Sequence, residues 1–133
     1  FGIPGRAAAD ALERQGVEIC VIELNAQTVQ RCVKIGTSII LGDCTDAQVL
    51  RKAGIERARM IAILIPNEPA ALNTTALARQ LNPTIRIITR CHYISAGIEA
   101  KARGANDVII EEQLVAEQVI NVLEMKNPDR QTI

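Results

Sequence analysis

The sequence predicts an α/β fold built on a doubly wound parallel sheet. Three observations predict it. Segments that read as helices and strands alternate along the whole chain. The strand segments are short aliphatic runs, as expected of strands covered by helices. Gly, Asn, Asp and Pro stand at the junctions, where caps and turns need them. The chain has 133 residues, 48% hydrophobic and 23% charged, a composition that suits one soluble domain. Only 2% is aromatic and there is no Trp, so the core is aliphatic.

The first helix runs from Pro4 to Gln15. Pro4 fits a first turn, where no amide partner is required, and Ala8, Ala11 and Leu12 share a face. Gly16 ends it. The run 18–24 is a strand closing on Glu23 and Leu24. Asn25 caps a second helix that reaches about Lys34, with Gly36 as its stop. A short strand, 38–41, precedes the turn Gly42-Asp43-Cys44-Thr45-Asp46, in which Thr45 or Asp46 caps the helix holding Val49 and Leu50. Residues 53–58 connect to the apolar run 60–65, read as a strand covered on both faces. Pro66 to Pro69 break that run. The next helix spans 69–81, with Leu72, Ala76 and Leu77 along one stripe, and Asn82-Pro83 stops it. A strand over 85–89, a helix over 94–103 closed by Gly104, and a strand over 107–110 follow. The last helix, 112–126, carries Leu114, Val115, Val119, Val122 and Leu123 as an apolar stripe, either core or a dimer face. One domain therefore covers 1–126, and 127–133 form a polar tail.

The formal net charge is zero at pH 7, and no basic patch or aromatic platform is present. That excludes nucleic acid as a partner, because its recognition rests on phosphate neutralisation and base stacking. No apolar run approaches the ~20 residues of a membrane helix, so direct membrane insertion is not expected. Cys20, Cys32, Cys44 and Cys91 form no C-x-x-C pair, and the single His cannot complete a zinc set. The cysteines read as reduced, mostly buried thiols of a cytosolic protein. No metal and no catalytic residue is expected. Cys91 and His92 are neighbours at a strand end, where adjacent side chains point apart.

One short stretch points to chemistry. Gly2-Ile3-Pro4-Gly5 fits the second half of the dinucleotide fingerprint G-x-G-x-x-G, and Glu23 stands near the expected distance for its ribose-binding acid. Gly2 would allow a phosphate close to the backbone, and Gly5 close packing of helix on strand. The helix N-terminus would offer amides and the positive dipole end to the phosphates. An acid at position 23 favours NAD or an adenine nucleotide over NADP. The fold is then Rossmann-like, and by this pattern its first strand is missing from the N-terminus.

The stretch 42–83 narrows the fold to a family. Gly42-Asp43-Cys44-Thr45, Leu50 to Ala58 as L-x-x-A-G-I-x-x-A, Asn73, and Ala78-Arg79-Gln80-Leu81-Asn82-Pro83 resemble the RCK domains, also called TrkA-N or KTN domains. The runs IITR at 87–90 and GANDVI at 104–109 extend the resemblance over nearly the whole chain. It implies a non-enzymatic, cytoplasmic regulatory domain of a potassium channel, uptake system or efflux antiporter, held at the inner face of the membrane by that transporter. It implies NAD(H), ATP, ADP or AMP as ligand, and a homodimer or larger ring as assembly. It places Asp43 and Cys44 by the adenine, and Ile65, Pro66 and Asn67 in the loop at the middle of the ligand. Asn73 would support the phosphate loop, and Arg90 would reach a phosphate or a neighbouring subunit. Ile3 and Pro4 stand where the family often has an arginine and an apolar residue, and Arg6 would partly replace that charge. Glu111-Glu112 stand where a proline–acid pair is common. An NAD-dependent oxidoreductase and a ligand-free dimerisation module are the competing readings of the same fold.

Overall fold

Elements follow one another in the predicted alternation in the computed structural model, which describes residues 1–34 and 38–126. They are α1 (Ile3–Arg14), β1 (Val21–Glu23), α2 (Ala26–Lys34), β2 (Ile39–Leu41), α3 (Ala47–Lys52), β3 (Met60–Ile63), α4 (Glu68–Leu81), β4 (Arg86–Cys91), α5 (Ile94–Ala102), β5 (Asp107–Ile110) and α6 (Glu111–Lys126). The expected helix stop at Gly36 and the tail 127–133 lie outside the described residues.

Every ladder is parallel. β1 pairs with β2 in the register Val21 to Ile39 and Glu23 to Leu41. β4 lies between β3 and β5, with Ile61 opposite Ile87 and Arg90 opposite Ile109. The strands thus form a two-stranded and a three-stranded sheet. β1 is shorter than the predicted 18–24, because a strand extends only as far as its partner. The ladder opens where the Val21 amide donates to the Ser38 carbonyl, 2.9 Å away.

The core sits under one face of the three-stranded sheet. α4 and α5 pack on that face, burying Ile87, Thr89 and Cys91 of β4 and Ile63 of β3. They meet Leu50, Ile55, Ala71, Leu72, Ala78, Ile85, Ala96 and Ala100. On α4 the buried stripe is Ala71, Leu72, Thr74, Thr75 and Ala78; Leu77 packs against the core from its margin, and two threonines join the expected apolar residues. Their hydroxyls bond back to Ala70 and Ala71 carbonyls, and Thr75 also pairs with Thr89 at 2.8 Å. The other face is less covered than the run 60–65 suggests. Met60 is 40% exposed and Ala62 is exposed, because both neighbouring helices lie on the opposite side. α6 does not cover it either: residues 112–125 are exposed throughout.

The motif Ala78 to Pro83 serves this scaffold. Arg79 donates to the carbonyls of Gly104, Pro83 and Ile85 and to the Asn106 side chain, at 2.8–3.2 Å. Asn82, 7% exposed, donates to the Ile55 and Ala58 carbonyls at 2.8 and 3.0 Å. Gly104 has φ +117°, and a Cβ there would lie 2.8 Å from Cγ of Arg79. Both the backbone region and the arginine therefore require glycine.

Candidate functional site

Within each sheet parallel pairing brings the strand ends to one edge, the place where ligands bind in open α/β sheets. The glycine turn arrives there as the start of α1. Gly2 is its N-cap residue, with φ −84° and ψ −169°, an extended conformation open to any residue. What Gly2 supplies is space: a Cβ there would meet only Pro4 Cδ, at 4.0 Å. No side chain caps this helix end, no acid stands in its first turn, and Pro4 has no N–H. Nothing in the helix's own first turn compensates the positive end of its dipole. Ile3 and Arg6 are exposed beside it.

Glu23 ends β1 next to this turn. Its carboxylate accepts from the Phe1 amino group and, at 3.1 Å, from the Asn25 amide. The acid and the glycine turn, 18 to 21 residues apart in sequence, are thus neighbours in space. Asn25 itself caps α2, accepting from the Gln27 and Thr28 amides. Across the β1–β2 ladder the Gly42 amide donates to the Glu23 carbonyl at 3.0 Å, which sets the turn 42–46 on the same edge. There Asp43 accepts from the amide and hydroxyl of Thr45 at 2.9 and 2.6 Å. These bonds, the hydroxyl first, hold its carboxyl below the usual range. Asp46, and not Asp43, caps α3. Cys44 Sγ lies 3.3 Å from the Thr74 hydroxyl, tying this turn to α4.

A groove of about 220 Å³ continues from the glycine turn onto the three-stranded sheet, lined by Pro4, Leu64, Arg90, Ile109, Glu111 and Leu114. Arg90 is engaged there. Its Nε lies 2.6 Å from Glu111, and its Nη1 donates to the Leu64 carbonyl at 3.0 Å. Of the loop after β3, Ile65 packs against the core, the Pro66 carbonyl accepts from His92, and Asn67 caps α4 by accepting from the Ala70 amide. Asn73 is exposed and accepts from Arg103; it makes no hydrogen bond to the glycine turn among the described residues. Glu111 and Leu64 enter the groove without a motif of their own. The signal for Glu111 was its place at a strand end beside a second acid. Cys91 is buried, and burial followed by the nearby Glu68 charge pushes its thiol up, so it is no activated nucleophile. Cys32 is buried too, whereas Cys20 is exposed, against the expectation of mostly buried thiols.

A parallel α/β scaffold with an uncapped helix start, a carboxylate beside it and a second acidic turn at the strand ends defines a Rossmann-type domain. The model of the TrkA-N domain matches residues 1–111, and the chain belongs to that family. It is 30% identical over 124 residues to the inner membrane protein YbaL of Escherichia coli (strain K12), covering 93% of this chain and 22% of that protein. It is 31% identical over 98 residues to the glutathione-regulated potassium-efflux system protein KefC of Cronobacter sakazakii, covering 71% of this chain and 16% of KefC. The chain thus spans under a quarter of the length of these relatives. Among solved structures, the TrkA-N domain of YbaL superposes with a TM-score of 0.88 at 29% identity, over 92% of this chain and 91% of that one. GsuK bound to ADP superposes with a TM-score of 0.83 at 30% identity, over 95% of this chain and 32% of that one. GsuK has also been solved bound to NAD.

Proposed function

We propose that this chain is a regulatory domain of a potassium channel, uptake system or efflux antiporter, and that it binds NAD(H) or an adenine nucleotide (ATP, ADP or AMP). The observation that carries this reading is the meeting of the uncapped α1 start with Glu23 at the strand ends. Phosphate oxygens would lie over Gly2 and the first turn of α1, where a side chain would otherwise intrude and where the dipole favours anions. Glu23 would accept the ribose hydroxyls, and the turn at Asp43 and Cys44 would border the base. Arg6 would add charge at the phosphates; Arg90 would do so only by leaving Glu111. GsuK, with ADP and with NAD as ligands, supports this ligand class.

Regulation fits the site better than turnover. Both ring nitrogens of the single His are engaged, one by Glu111 and one by the Pro66 carbonyl, so neither is free to serve a substrate. Among the described residues no helix is long and apolar enough to cross a membrane; by its family the domain would act on a membrane partner from the cytoplasmic side. The exposed apolar residues of α6, including Leu114, Val115, Val119 and Leu123, are the face on which a homodimer or ring would form. A ligand alters such a partner only if it binds two states with different affinity.

Thermal unfolding with NADH, NAD, ATP, ADP and AMP tests the reading. A ligand bound by the native state alone raises Tm with concentration. No shift at millimolar levels of any of them would leave a ligand-free dimerisation module. Measurable hydride transfer from NADH to a carbonyl compound would replace the regulator with an oxidoreductase.

A further inference from the structure

Two elements, the β3–α4 loop and α6, meet on one imidazole at the carboxyl end of β4. His92 Nδ1 lies 2.5 Å from Glu111 Oε2 at the start of α6, and Nε2 lies 2.7 Å from the Pro66 carbonyl oxygen in the β3–α4 loop. We propose that His92 is a proton-operated latch that holds the β3–α4 loop against the first turn of α6.

The chemistry of the two partners carries the argument. A backbone carbonyl can only accept. Glu111 also accepts from Arg90, from Nε at 2.6 Å and Nη2 at 2.5 Å, which keeps it an ionised acceptor. Both ring nitrogens must therefore donate, and only the imidazolium carries two N–H groups. The surroundings favour that cation. Glu68 of α4 accepts the His92 amide at 2.6 Å. Glu112 of α6 accepts the Ile94 amide at 2.7 Å. Arg90 of β4 is the opposing charge and is paired with Glu111, the Cys91 thiol is buried and neutral, and Tyr93 meets the ring edge-on at 6.2 Å. The Glu111 hydrogen bond first, and the Pro66 bond second, raise the histidine above its ordinary value, while the same bond lowers Glu111.

The sign follows. A histidine raised on folding contributes fully below its unfolded value of about 6.5 and is lost as pH rises through the folded value. The neutral ring keeps one proton. That proton stays on Nδ1, where the bond to a carboxylate is charge-assisted, so the bond given up is the one to Pro66. Alkalinisation thereby removes the imidazole's hold on the loop at Pro66, between Leu64 of the groove wall and Asn67, the cap of α4, and leaves the loop tied by the Arg90 bond to the Leu64 carbonyl and the Glu68 bond to the His92 amide. The start of α6 stays tied through Glu111. The latch makes no use of a bound nucleotide, so it stands apart from the ligand reading.

His92 is the only histidine, so its ring signals in an NMR pH titration of the whole chain, without nucleotide, need no assignment strategy. The expected result is a midpoint above 6.5, a neutral form protonated at Nδ1, and Asn67 and Glu68 amide resonances that move with the same midpoint. Glu111→Gln lowers the midpoint while His92→Gln abolishes the step at those amides. A wild-type midpoint at or below 6.5 overturns the proposal. So do loop amides that ignore it, or a Glu111→Gln midpoint equal to that of the wild type.

Discussion

The two halves of the molecule are built to different densities. Residues 50–105 supply the whole buried cluster, and the helices over β3, β4 and β5 are cross-tied by Arg79, Asn82 and the Thr75–Thr89 pair. Among the described residues of 1–41 only Ala9 and Cys32 are buried, and Ile22 reaches the main cluster from the side. Yet the proposed phosphate and ribose contacts, Gly2 and Glu23, lie in the sparse half. The difference teaches that the family motifs of this chain divide by task. Those of the dense half hold the scaffold, and those of the sparse half supply the contacts proposed for a ligand.

The largest test of that contrast is Leu50→Ala. Leu50 is fully buried, and its truncation should cost ~2–5 kcal/mol in denaturant unfolding. Ile22→Ala, at a half-buried site, should cost clearly less; equal losses would erase the distinction between the halves. Asn82→Ala comes next. It strands two carbonyls, those of Ile55 and Ala58, and should cost about 2 kcal/mol. A near-neutral result would show that these ties are incidental. Glu23→Ala should reverse the pattern, weakening a ribose-bearing ligand by ~1–3 kcal/mol in calorimetry with a far smaller effect on unfolding. Unchanged affinity would remove Glu23 from the site.

The smallest effect belongs to Asp43. Its carboxyl is lowered by Thr45, so what it adds to stability is present above the ordinary carboxylate value and fades as pH falls through the lowered one. Thr45→Val removes the stronger of the two bonds. The Asp43 titration followed by carboxyl NMR should then move upward, and an unmoved midpoint would deny that bond its role.

Much of this was legible in the residues. The alternation of elements, the caps at Asn25 and Asp46, the stop at Asn82 and the pairing of Gly2 with Glu23 all follow from local chemistry and from the rule that parallel strands end on one edge. Other features were not. The run 60–65 looks doubly covered because aliphatic residues are equally at home under a helix and on a half-open face. Asn67 and Arg90 read as ligand residues from a motif, and the fold gives them a cap and an ion pair. Arg79 and Asn82 marked the family without revealing that their partners are carbonyls up to 27 residues away.

The sequence by itself determined the fold class, the order of its elements and the family, because periodicity, caps and turn residues act within a few positions of the chain. Only the tertiary structure decided that Arg90 is held by Glu111 and that His92 bridges Glu111 to Pro66. Those pairings join residues 19 to 26 positions apart. They depend on how the strands register and where each helix returns to the edge, and no local pattern encodes that distance.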